Sequence, residues 1–148
     1  MKYTISVLLA IITIILVLVG CQTTPQPTIS VRTEDKPLQV DRGDEFNIYL
    51  TVDNPTSSIF TPYIALDYPD TIQPTDPDLR QRGEKIELSS IKKLGNKGYS
   101  IKFNVNDRAQ EGIYSIKIGI YNRSDSLSPL KEPILYEVEV VERVTGSD

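Results

Sequence analysis

Few side chains in this sequence carry reactive chemistry, and they fall into two sets. One is a single thiol, Cys21, the only cysteine in a chain of 148 residues. A thiol can be acylated or act as a nucleophile, but without a second cysteine it forms no internal disulfide. The other set is carboxylates at short spacing, Asp67 with Asp70 and Asp76 with Asp78. Paired carboxylates can act as acid and base in glycoside cleavage, and Asp70, Asp76 and Asp78 together could offer oxygens to calcium. The segment lacks the alternating acids, glycine and terminal bidentate acid of a calcium loop, so no metal site is expected. The chain has no histidine. That excludes Ser-His-Asp and Cys-His nucleophile systems, histidine-containing zinc sites and histidine as general base. The expectation is a protein without catalytic residues and without a cofactor.

The setting of Cys21 gives the thiol a role. Lys2 precedes an apolar run from Ile5 to Val19 that only Ser6 and Thr13 interrupt, and the run ends in Leu18-Val19-Gly20-Cys21. This pattern resembles the lipobox of prokaryotic lipoproteins, which implies cleavage before Cys21 and lipidation of its thiol. Two other readings are open. Tyr3 to Cys21 as a helix of ~1.5 Å rise per residue spans ~28 Å, close to the ~30 Å hydrocarbon core of a bilayer, so the segment could be an uncleaved anchor. Cys21 could also be an incidental small apolar residue. Under either of the first two, Lys2 stays inside and the rest lies on the extracytoplasmic side of the cell membrane. Residues 1–20 are thus assigned to a signal peptide or membrane anchor, and 21–28, rich in Pro, Thr and Gln, to an extended spacer.

The elements that would follow the spacer have a period of two. Ile29 and Val31 alternate with polar neighbours, and Leu38 to Val40 leads to a turn at Asp41-Arg42-Gly43-Asp44. Phe46, Ile48, Leu50 and Val52 give the cleanest strand, ending at Asn54-Pro55-Thr56. Strands are also predicted from Phe60 to Tyr68, over Lys85 to Leu88, through Tyr99, Ile101, Phe103 and Val105, through Tyr114, Ile116, Ile118 and Ile120, and over Leu135 to Val141. Pro69 to Gly83 and Asn122 to Pro133 read as loops, and Leu94 to Gly98 as a turn whose two glycines take positive φ. Turn signals recur every eight to twelve residues and no helical period competes. The fold class is all-β: seven to nine antiparallel strands over residues 29–143, in an immunoglobulin-like β-sandwich behind the N-terminal hydrophobic segment, with 144–148 as a tail.

Three segments sharpen this reading: Val40-Asp41-Arg42-Gly43-Asp44 before Phe46, Val52-Asp53-Asn54 at the end of that strand, and Gly112-Ile113-Tyr114. Together they resemble secreted prokaryotic immunoglobulin-like modules of the CARDB type, related to cell-adhesion and surface-layer proteins. The sequence departs from that pattern after Asn54, where Pro55-Thr56 stands in place of the usual glycine. Gly112 and Tyr114 look like a tyrosine corner, in which the phenol bonds to backbone a few residues upstream. The resemblance implies a module that presents loops for adhesion, assembly or spacing.

Partners follow from location and charge. Only Lys2 of the charged residues lies in the leader, leaving 15 basic and 20 acidic groups, a net charge of −5. Such a surface disfavours nucleic acid. Lys92, Lys93 and Lys97 read as a solvated loop. The expected partners are the membrane, an envelope or surface protein, and a surface polysaccharide, with Tyr63, Tyr68 and Tyr121 as exposed aromatic contacts. Asn122-Arg123-Ser124 is a formal N-glycosylation sequon. The alternatives are a carboxylate-dependent hydrolase of envelope polysaccharide, using the aspartate pairs above, and a purely mechanical spacer.

Overall fold

The computed structural model describes residues 25–31 and 37–142. The leader, Cys21 and the tail assigned to 144–148 lie outside the described residues. Among the described residues no helix is long and apolar enough to cross a membrane.

Among the described residues nine strands form two sheets, the architecture of an immunoglobulin-like β-sandwich. In chain order they are β1 (Thr28–Val31), β2 (Leu38–Asp41), β3 (Glu45–Asn54), β4 (Tyr63–Asp67), β5 (Ile72–Pro74), β6 (Ile86–Glu87), β7 (Gly95–Val105), β8 (Gly112–Tyr121) and β9 (Ile134–Val141). One sheet has the order β1-β3-β7-β5 and the other β2-β9-β8-β4-β6. The spine of the first is the antiparallel pair β3 and β7, in register from Glu45 opposite Asn104 to Asn54 opposite Gly95.

Alternation explains the layers. Phe46, Ile48, Leu50 and Val52 on β3 are all buried while Asn47, Tyr49 and Thr51 face out, as a period of two requires. Ile64 and Leu66 of β4, Ile116, Ile118 and Ile120 of β8, and Val138 and Val140 of β9 close the core from the opposite sheet. Phe46 stacks on Phe103 with ring centroids 5.4 Å apart, and Tyr68 meets Phe103 edge-on at 6.3 Å. Such aromatic pairs add to the burial of their area.

Three sequence expectations are corrected. β2 runs parallel to β9, from Leu38 opposite Val138 to Asp41 opposite Val141, so the strands are not all antiparallel. The reason is a change of sheet: β1 pairs antiparallel with β3, whereas β2 has crossed to the other sheet. Gly43, at φ +79°, then turns the chain back into β3, with Asp44 N–H donating to Asp41 O at 3.2 Å and Gly43 N–H to Val105 O at 3.1 Å. A Cβ at Gly43 would collide with the Asp107 carboxylate. Second, the predicted loop Pro69 to Gly83 contains strand β5 and a single 3₁₀ turn at Pro77–Leu79. β5 lies on the sheet edge, where Pro74 is tolerated because that position need not donate outward. Third, the glycines of Leu94 to Gly98 are not the residues at positive φ: Leu94 itself takes φ +51°, and Gly95 and Gly98 belong to β7. Gly95 is needed for room, since a Cβ there would approach Lys92 O to 3.1 Å.

The strand directions sort the loops into two ends. Segments 55–62, 88–94 and 122–133 cluster at one end, together with the start of β1, where Thr28 pairs with Asp53. Segments 42–44, 68–71 and 106–111 lie at the other, together with Glu142.

Candidate functional site

The loop end is the most differentiated surface of the molecule, and one residue organises it. Asn54 ends β3 and is 1% exposed, the only buried polar or charged residue among the described ones. Its amide Nδ2 donates to Ser58 O at 2.8 Å and Lys92 O at 3.1 Å. Its Oδ1 accepts from Thr56 Oγ1 at 2.6 Å and Thr56 N–H at 3.2 Å. Leu94 N–H completes the set by donating to Thr56 O at 2.9 Å, and Phe60 and Ile91 bridge the same two segments. One side chain thus joins loop 55–62 to loop 88–94. Asn suits this place because it both donates and accepts, and an unmet buried amide would cost the whole of its lost hydration.

What this frame holds outward is apolar and basic. Ile59 and Leu94 are each 74% exposed, Leu127 on loop 122–133 is 98% exposed, and Lys92 and Lys93 are exposed beside Leu94. Next to Ile59 lies an open depression of about 450 Å³ lined by Phe60, Thr61, Tyr63 and the segment Asn122 to Asp125. The sequon residue Asn122 is therefore exposed, on its rim. Below it, on the outer face of the second sheet, Tyr63 pairs with Tyr121 across β4 and β8. Tyr63 donates its hydroxyl to the Glu87 carboxylate at 2.8 Å. That bond holds the phenol above its ordinary pKa, with partial desolvation and the charges of Glu87 and Asp125 acting in the same direction. Tyr121 lies over Gly119, with Lys85 Nζ 4.6 Å from its ring centroid. Lys85 also donates to the carbonyls of Ser124 and Ser126, which fastens loop 122–133 to this face.

Other residues singled out in the sequence go elsewhere. Tyr68 is 5% exposed, so it is no surface contact: its hydroxyl donates to Arg80 O at 2.6 Å and its ring belongs to the core. Tyr114 donates to Gln110 O at 2.9 Å, four residues upstream, and Gly112 has φ +148° at the start of the same strand. This is the geometry by which a tyrosine corner fixes a crossover between sheets. Lys97 Nζ lies 6.0 Å from the Tyr99 ring centroid. Asp70 is ion-paired with Arg82, and Asp76 accepts from Asp78 N–H at 3.0 Å as the cap of the 3₁₀ turn. Asp67 is exposed on the outer face of β4. Among the described residues no three His, Cys, Asp or Glu side chains converge as a metal would need.

The architecture has known counterparts. No protein-family model matches the chain, and no curated protein sequence matches it. Solved structures do. A FixG-related protein from Vibrio parahaemolyticus superposes with TM-score 0.50 at 12% identity, over 81% of this chain and 99% of that one. Native α2-macroglobulin of Escherichia coli matches with TM-score 0.53 at 13% identity, over 78% of this chain and 7% of that one. A fragment of the same protein, from domain MG7 to the C-terminus, gives TM-score 0.54 at 11% identity, over 79% of this chain and 17% of that one. This chain therefore spans only a small part of the α2-macroglobulin chains it matches. At such identities the likeness is one of fold, and it establishes an immunoglobulin-like β-sandwich.

Proposed function

We propose that the protein is a membrane-anchored, extracytoplasmic immunoglobulin-like module of the CARDB type that works by binding or assembly rather than catalysis. The observation that carries this reading is the sequence of parts: an apolar run ending in Cys21, a short Pro-rich spacer, then a single sandwich whose differentiated surface is made of loops. An immunoglobulin-like fold is a common scaffold for presenting such loops. The non-catalytic reading is supported by the work its carboxylates already do, Asp70 held by Arg82 and Asp76 spent on capping a turn. The chain also has no histidine to act as a base near neutral pH. An envelope or surface protein, or a surface polysaccharide, is the partner class.

Intact mass of the protein from the membrane fraction tests the anchor. A species beginning at Cys21 with added acyl chains is expected. A full-length unmodified mass in the membrane would replace the lipid with a spanning helix, and a protein found wholly outside the membrane fraction would overturn the reading. Cross-linking in whole cells tests the binding role, with an envelope protein or polysaccharide expected on the loop end.

A further inference from the structure

The anchor and the loop end share one side of the domain. β1 begins at Thr28 opposite Asp53, so the chain enters the sandwich at the end that carries loops 55–62, 88–94 and 122–133. Six residues separate Cys21 from Thr28, and the seven steps between them, fully extended, reach at most ~25 Å. Whatever holds Cys21 at a bilayer keeps this end of the sandwich next to it.

The residues at that end are hard to explain by the fold. Of the six large hydrophobic residues that are exposed among the described ones, Ile59, Leu94 and Leu127 lie on these loops. Leu94 is the most telling. At φ +51° it occupies backbone that favours glycine or asparagine, yet it is 74% exposed, so neither conformation nor packing calls for leucine there. Charge follows the same division. On the loops of the loop end Arg123 and Lys131 match Asp125 and Glu132, leaving Lys92 and Lys93 as a basic surplus, whereas the opposite end carries Asp44, Asp70, Asp107, Glu111 and Glu142 against Arg42 and Arg108.

Building on the anchored reading, we propose that the loop end docks on the surface of the bilayer that holds the anchor. Ile59, Leu94 and Leu127 enter the interfacial layer, and Lys92 and Lys93 pair with anionic lipid phosphates. Apolar tips beside lysines complement such a surface, whose negative potential favours each nearby lysine by about fivefold in binding. The tether makes the contact intramolecular, so weak docking suffices to hold an orientation.

The chain has no tryptophan, so single reporters can be placed without background. The full-length protein carrying Leu127→Trp, or Arg108→Trp at the opposite end, is reconstituted into phosphatidylcholine vesicles with or without phosphatidylglycerol, some with brominated acyl chains. Co-flotation with the vesicles reads the anchor. Quenching by brominated lipid reads docking. The expected result is flotation of both variants, with Leu127→Trp quenched and Arg108→Trp not. Adding Lys92→Glu and Lys93→Glu should reduce that quenching by more than tenfold in phosphatidylglycerol vesicles. Protein that floats while Leu127→Trp is quenched no more than Arg108→Trp overturns the docking and leaves the anchor standing. Quenching indifferent to both lysines and phosphatidylglycerol overturns the headgroup pairing. Failure to float overturns the anchor and the docking that rests on it.

Discussion

Asn54 shows how much a single side chain carries here. Replacing it with alanine would strip hydrogen bonds from two loops and leave Ser58 O and Lys92 O without their amide donor. Asn54→Ala should lower the unfolding free energy by about 2–3 kcal/mol, read as a shift in the urea midpoint at unchanged slope. Leu94 should behave in the opposite way. Leu94→Gly relieves a left-handed backbone at a residue that buries little, so a gain of about 1 kcal/mol in the same measurement is expected. A leucine kept against that preference is what a contact outside the fold would require. Tyr63 gives a third handle, through pH. Its phenol is raised by Glu87, so its contribution to stability is complete below the unfolded phenol value and declines as pH climbs through the folded one. In an ultraviolet phenolate titration, Glu87→Gln should move one raised phenol to lower pH, and Tyr63→Phe should remove that same transition. None of these roles was legible in the sequence. Asn54 stood at the end of a strand like any turn residue, because its partner Lys92 lies 38 positions further on. Leu94 sat between Lys93 and Gly95 in a segment whose glycines drew the assignment of positive φ.

The elements were legible in proportion to how much of their own register they set. β3, β7, β8 and β9 alternate cleanly, and their period of two placed the buried residues Phe46 to Val52, Ile101 to Val105, Ile116 to Ile120 and Val138 to Val140 on one face. β5 was not legible because it is three residues long, ends in proline and exists only through its pairing with β7, Ile72 opposite Val105. β6 is shorter still, two residues against β4, although Ile86 and Glu87 do fall inside the strand expected over Lys85 to Leu88. Strands of this kind take their conformation from the neighbour rather than from their own residues. Their stability should follow the same order. Amide hydrogen exchange is expected to be slowest in the interior strands β3, β7 and β8 and fastest in the edge pieces β5 and β6. Comparable protection across all five would mean that the edges are held by something besides their ladders. The direction of β2 was equally hidden, since alternation in Leu38-Gln39-Val40 says which face is apolar and nothing about which neighbour it joins.

At the scale of the whole molecule the two chain ends leave from opposite poles, the spacer at the loop end and Glu142 beside Arg42 at the other. The sandwich between them is a rod about as long as β7, whose eleven residues at ~3.3 Å each span ~36 Å. Anything attached beyond Glu142 would be held that far from whatever holds the spacer. Pulling on the two ends loads the parallel pair β2 and β9 in a particular way. The strain on β2 comes from its upstream end and that on β9 from its downstream end, so the two slide past one another and their bonds resist together instead of opening one by one. Arg42 N–H donates to Val141 O, and the period of two turns the N–H of Val40 toward β9 as well. Val40→Pro should therefore lower the rupture force in single-molecule stretching. Among the described residues, the one strand pair that departs from the antiparallel pattern is the latch that would bear tension between whatever holds the spacer and whatever lies beyond Glu142.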